Sequence, residues 1–149
     1  MPQETAITAV AHVIQLAVAP VFLLTGIGAL LAVMTNRLAR IVDRARSLER
    51  RTAANAADAG DIQRELATLS RRAQVVSLAI GLCTTTALLV STVIAILFLG
   101  AFMSFDISTP VASLFVAAML AFVAALLLFL REILLATAGL RFRHREAEP

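Results

Sequence analysis

Thr5, Thr8, His12 and Gln15 follow a spacing that puts all four on one face of a helix. An imidazole beside hydroxyls and an amide can bind a ligand, pass a proton or titrate near neutral pH. Two readings stay open for Thr8, His12 and Gln15: a polar edge at the outer headgroups, or the polar lining of the outer mouth of a pore or cleft. A second candidate is Arg131 beside Glu132, inside an otherwise apolar run. Charge at membrane depth is costly and normally faces protein or water and finds a partner. Arg131 lies about ten residues, or ~15 Å of helix, before Arg141. Thr84, Thr85 and Thr86 lie a similar distance after Arg72, and Thr25 with Gly26 a similar distance before Asn36. Helices running side by side would bring these residues into one inner polar layer with an Arg131–Glu132 pair. In an oligomer Arg131 would become a ring that favours anions. The simpler reading ends the third apolar segment at Leu130, with Arg131 marking the headgroups and 133–140 an interfacial amphipathic turn. A third candidate is the stripe of Arg37, Arg40, Arg44 and Arg51. It is either a solvated face that sets topology or a docking surface for anionic lipid headgroups or a protein partner, each arginine near the membrane adding about 1 kcal/mol.

No constellation in the chain points to catalysis. The metal-binding HExxH, the GxSxG elbow, the phosphate-binding loop and paired carboxylates at a useful spacing are all missing, so neither an enzyme nor a metal or other cofactor is expected. The single cysteine, Cys83, has apolar and threonine neighbours and reads as a buried thiol. His144 sits in a charged tail. All thirteen basic residues are arginine and the sequence pI is about 10.9, but they flank apolar runs without interleaved aromatics, which argues against nucleic acid.

The elements that must carry these residues follow from hydropathy. Of 149 residues, 60% are hydrophobic and 15% charged, too little polar surface to cover a water-soluble core. Three apolar segments stand out, at about 6–35, 73–104 and 110–140. Each is about 30 residues, or roughly 45 Å as a helix, which exceeds the ~30 Å hydrocarbon layer and requires tilt or extension beyond it. The sequence predicts one all-α membrane domain over 1–149 with three long transmembrane helices. The N-terminal stretch lacks a basic start and stays apolar past Pro20, so it reads as the first span and not as a cleaved signal. Pro20 predicts a kink, and Gly26 and Gly28 predict close packing.

Charge sets the orientation. Nine arginines fall in 36–72 and three in the tail 141–149, whereas the N-terminal tail and the link 105–109 hold only Glu4 and Asp106. The positive-inside rule puts the N-terminus outside and the C-terminus in the cytoplasm. Leu38, Ile41, Ala45 and Leu48 share a helical face, the run AANAADAG at 53–60 suits a turn, and Asp61 can cap a helix bearing Ile62, Leu66, Leu69 and Ala73. The expected product is a cytoplasmic helical hairpin that extends spans one and two. Thr109 before Pro110 reads as an N-cap, which makes spans two and three an antiparallel hairpin. Small residues recur every fourth position at Ser113, Ala117, Ala121 and Ala125, at Ser77, Gly81 and Thr85, and at Ala87, Ser91 and Ala95. Such stripes let helices approach closely, within one subunit or between subunits.

The run HVIQLAVAPVFLLTGIGALLAVMTNRLARIVDRAR, with His12, Gln15, Pro20, Gly26, Gly28, Asn36-Arg37-Leu38 and Arg40 to Arg44, resembles an uncharacterised family of small bacterial inner-membrane proteins, a domain of unknown function. The resemblance extends through the third span to about Leu140. It implies a three-span bacterial inner-membrane protein and brings no activity, ligand or catalytic residue.

Two functions remain in view. One is a homo-oligomeric pore or ion pathway, with His12 and Gln15 at its mouth and Arg131 with the threonines deeper. The other is a membrane scaffold or accessory subunit whose arginine-rich hairpin binds anionic lipid or a protein partner.

Overall fold

The computed structural model describes residues 2–54, 59–100 and 108–143, with side chains over 11–51, 60–100 and 108–136. Every described residue is helical, in α1 (Pro2–Ala54), α2 (Ala59–Gly100) and α3 (Ser108–Arg143). All three are long and apolar enough to cross a membrane. The protein is therefore an all-α, multi-pass membrane protein.

At 53 residues α1 is about 80 Å long, far beyond the ~40–45 Å of a bilayer with its headgroups. It runs from the apolar segment into the arginine-rich one without a break and passes through Pro20 as helix. α2 starts in the arginine-rich segment, with Asp61 in its first turn where an acidic side chain complements the helix dipole, and ends at Gly100. The helical extensions of spans one and two are thus present. The expected turn falls partly on 55–58 and the expected link partly on 105–107, which lie outside the described residues. One local expectation changes. Thr109 does not cap α3, because Ser108 and Thr109 are already helical. Pro110 still sits in the first turn, where its missing N–H costs no hydrogen bond. As a helix α3 continues past Leu130 to Arg143.

The chain packs as two units. One takes α1 up to Leu31, α2 from Leu82 and α3 up to Val123; the other takes α1 from Ala32, α2 up to Gly81 and α3 from Ala124. In the first, Ala17, Ile27, Cys83, Thr86, Val90, Val93 and Ala118 are buried. In the second, Met34, Leu48, Leu69, Val76, Ala79, Ala125, Phe129 and Glu132 are buried. The buried positions recur at seven residues or a multiple of seven: Ile27, Met34 and Leu48 on α1; Leu69, Val76, Cys83 and Val90, interleaved with Ala79, Thr86 and Val93, on α2; Ala118, Ala125 and Glu132 on α3. A 3.5-residue period is the spacing that keeps one narrow face of a helix, its seam, against its neighbours.

Inside the chain this seam, and not the four-residue stripes, is what is buried. Ser77, Gly81, Thr85, Ser91, Ala95, Ser113 and Ala117 are exposed, Ala87 and Ala121 half-buried, and only Ala125 is buried. A Cβ added at Gly26, Gly28 or Gly81 would meet nothing within 4 Å, so none of these glycines is required by a close approach inside the chain. Large apolar side chains cover the outside, among them Phe22 at 74%, Leu88 at 65% and Leu120 at 67% exposure. Patches of that kind fit hydrocarbon as the surrounding solvent.

Candidate functional site

Glu132 is 2% exposed, on the seam of α3. An ionised carboxylate buried to that degree needs a cation and hydrogen bonds to remain charged. Arg72 on α2 supplies both: its Nε donates to Glu132 Oε1 at 2.6 Å. The Arg72 side chain keeps 33% of its surface exposed against 3% for Glu132, so the pair is a buried acceptor held by a cation that reaches the surface. One turn before Glu132, Phe129 presents its ring to Arg37 on α1, whose guanidinium carbon lies 5.6 Å from the ring centroid. That distance is in the range of a cation–π contact. Arg37, Arg72, Phe129 and Glu132 thus tie all three helices together at one level.

Arg131 does not join this cluster. Neighbours on a helix point about 100° apart and do not face each other. Glu132 turns inward to Arg72, whereas Arg131 is exposed. The Arg131–Glu132 pair expected from adjacency is replaced by a contact between residues sixty positions apart. The i,i+1 geometry was the signal that could have shown it.

Beyond this level α1 and α2 are clamped directly to each other. Arg44 donates to Glu65 Oε1 from Nε at 3.2 Å and from Nη2 at 3.0 Å. Both side chains are about half exposed, so the pair fixes geometry more than it adds stability. Arg64 and Asp61, one turn apart at 3.8 Å, are almost fully exposed. Arg40 and Arg51 are exposed and Arg37 half-buried. Over 37–72 nine arginines stand against Asp43, Glu49, Asp58, Asp61 and Glu65, an excess of four positive charges.

The remaining candidates divide between the units. His12 and Gln15 are exposed on α1 in the first unit, and the side chain of Thr8 lies outside the described ones. Thr25 is exposed, and its hydroxyl donates to the Val21 carbonyl at 3.3 Å. Thr86 is fully buried; its hydroxyl donates to the Leu82 carbonyl at 2.9 Å, with the Ala118 carbonyl of α3 at 3.4 Å. Thr84 and Thr85 are exposed. These four threonines belong to the first unit, and Arg131 and Glu132 to the second. Among the described residues every buried side-chain nitrogen and oxygen has a hydrogen-bond partner, and no group of three or more His, Cys, Asp or Glu could hold a metal.

Sequence reasoning missed the role of Arg72 and of Phe129. Arg72 was counted only as a topology marker and Phe129 as part of an apolar run. The seven-residue spacing of Ala118, Ala125 and Glu132 would have placed Glu132 on the seam.

No curated protein and no solved structure matches the chain. A family model does match, over residues 17–142, and covers the seam, the ion-pair cluster and the hairpin alike. The chain belongs to the family described as protein of unknown function DUF2721.

Proposed function

We propose that this protein is a non-enzymatic scaffold of the bacterial inner membrane, with its N-terminus outside, whose arginine-rich hairpin anchors anionic phospholipid headgroups at the cytoplasmic surface and presents its far end to a protein partner. The observation that carries this reading is the hairpin itself: two uninterrupted helices that leave the apolar spans, are clamped to each other by Arg44–Glu65 and tied to α3 by Arg72–Glu132, and bear four excess positive charges. A rigid basic projection suits docking better than catalysis.

Distance divides the arginines into two groups. Arg37 shares its level with Arg72, Phe129 and Glu132, where the apolar spans meet the charged segment. Arg40 follows within one turn, Arg71 precedes Arg72, and Arg131 precedes Glu132, all three exposed. These residues form a collar at headgroup height. Arg51 is fourteen residues beyond Arg37, or about 21 Å along the helix. That is more than twice the ~8 Å screening length at physiological salt, so Arg51 acts on a partner in the cytoplasm and not on the membrane its own chain crosses.

The pore reading has weaker support. Within the described residues the buried polar side chains are satisfied inside the chain, Thr86 by backbone carbonyls and Glu132 by Arg72, and the seams are otherwise apolar. Any hydrated path would have to be lined by the outer faces of several copies, which carry His12, Gln15, Thr25, Thr84, Thr85 and Arg131.

Reconstitution in nanodiscs tests the lipid arm. Phosphatidylglycerol is expected to be retained over phosphatidylcholine by native mass spectrometry. Arg40→Gln and Arg131→Gln should each weaken that retention by about fivefold, from about 1 kcal/mol per arginine at the surface. Arg51→Gln should leave it unchanged. Equal retention of the two lipids, or equal loss with Arg51→Gln, overturns the collar.

A further inference from the structure

We propose that the face of the hairpin turned away from α3 is a homodimer interface, occupied by the same face of a second copy of this chain. This inference goes beyond the scaffold reading and does not rest on it.

α1 and α2 leave an open groove of about 390 Å³ between them, lined by Ile41, Val42, Ala45, Leu66, Leu69 and Ala73, with Arg46, Glu49 and Ser70 at its edge. None of the described lining residues comes from α3, whose side chains are described as far as Ala136. The faces explain why. Arg37, which meets Phe129 of α3, and Arg46 are nine residues apart, about two and a half turns, so they lie on opposite sides of α1. Arg72, which meets Glu132 of α3, and Ser70 are likewise directed about 200° apart on α2. At the level of Phe129 and Glu132, α3 therefore lies against one side of the hairpin, and the groove opens on the other.

Lipid cannot fill this groove. Arg40, Asp43, Arg44, Arg46, Glu49 and Arg50 are interleaved with its α1 wall and all are exposed, a density of charge that belongs in water. Apolar floor in water calls for a protein occupant.

The rim says which one. Arg46 and Glu49 lie one turn apart on the same wall, both exposed, and neither side chain has an ion pair or hydrogen bond with any other described residue. An interface built around a two-fold axis must be self-complementary, because each patch meets its own copy. A rim carrying one charge of each sign meets that condition. With the axis parallel to the helices, Arg46 of one copy and Glu49 of the other differ in height by three residues, about 4.5 Å, which two long side chains span. This is the crossed charge pairing that flanks the seam of parallel coiled coils. It occurs twice by symmetry.

Charge reversal tests the pairing in phosphatidylcholine nanodiscs or neutral detergent, where anionic lipid plays no part. The parent chain is expected to sediment as a dimer. Arg46→Glu and Glu49→Arg should each raise the dissociation constant about tenfold or more, since like charges then face each other. The double variant, Arg46→Glu with Glu49→Arg, should return it to within a few-fold of the parent. Ser70→Cys should form a disulfide-linked dimer in native membranes, against a silent background because Cys83 is buried. A monomeric parent overturns the proposal, as does a parent that gains mass only with a different protein. Single reversals that dimerise like the parent overturn it too, as does a double variant that keeps its helicity without recovering the dimer.

Discussion

Replacing Arg72 by leucine is expected to be the most damaging single change to the ion-pair cluster, and more damaging than replacing its partner. The asymmetry follows from burial. The Glu132 side chain is 3% exposed, so Arg72→Leu strands a carboxylate that water cannot reach. Breaking a buried pair in this way costs about 3–5 kcal/mol, a factor of roughly a thousand in the folding equilibrium. Glu132→Leu removes the buried member instead. Arg72, already one third exposed, then straightens toward the headgroups, and leucine fills the seam with apolar volume. The expected cost is about 1 kcal/mol. The double variant, Arg72→Leu with Glu132→Leu, removes both charges and should return to within about 1 kcal/mol of the parent. Reversible unfolding by SDS in non-ionic micelles, followed by circular dichroism and a tertiary probe, measures all four species in one thermodynamic cycle. The reasoning is refuted if Arg72→Leu costs less than Glu132→Leu, or if the double variant costs as much as Arg72→Leu alone.

Two further outcomes check the packing and the orientation. Ala118 is fully buried and its neighbour Ala117 exposed, so Ala118→Leu should overpack the seam by about 1–3 kcal/mol while Ala117→Leu changes stability by less than about 0.5 kcal/mol; the same unfolding titration reads both, and equal effects would displace the seven-residue seam. For the proposed orientation, His12→Cys should react with a membrane-impermeant maleimide added outside intact spheroplasts, and Arg51→Cys only after lysis. The reverse pattern would invert the topology.

The long helices and the arginine-rich hairpin were legible because both rest on local properties. Thirty apolar residues must satisfy their backbone hydrogen bonds internally once in lipid, and helix is the solution for a single segment. Leu38, Ile41, Ala45 and Leu48 keep helical spacing past the end of the apolar run, which is why α1 extends to Ala54. The segregation of arginine into 36–72 and 141–149 needed no structure to be seen. Which face of each helix is buried was not legible. In water a core face is apolar and the other polar, so periodicity marks it; in lipid both faces are apolar and the contrast fades. The sequence therefore draws attention to the small-residue stripe at Ser77, Gly81 and Thr85, whereas packing inside the chain buries Val76, Ala79 and Cys83. The charged cluster shows the same division. That Glu132 needs a partner follows from the chemistry of a carboxylate inside an apolar run. That the partner is Arg72 and not the adjacent Arg131 was decided by tertiary structure, because the seam turns Glu132 toward α2 and leaves Arg131 facing out.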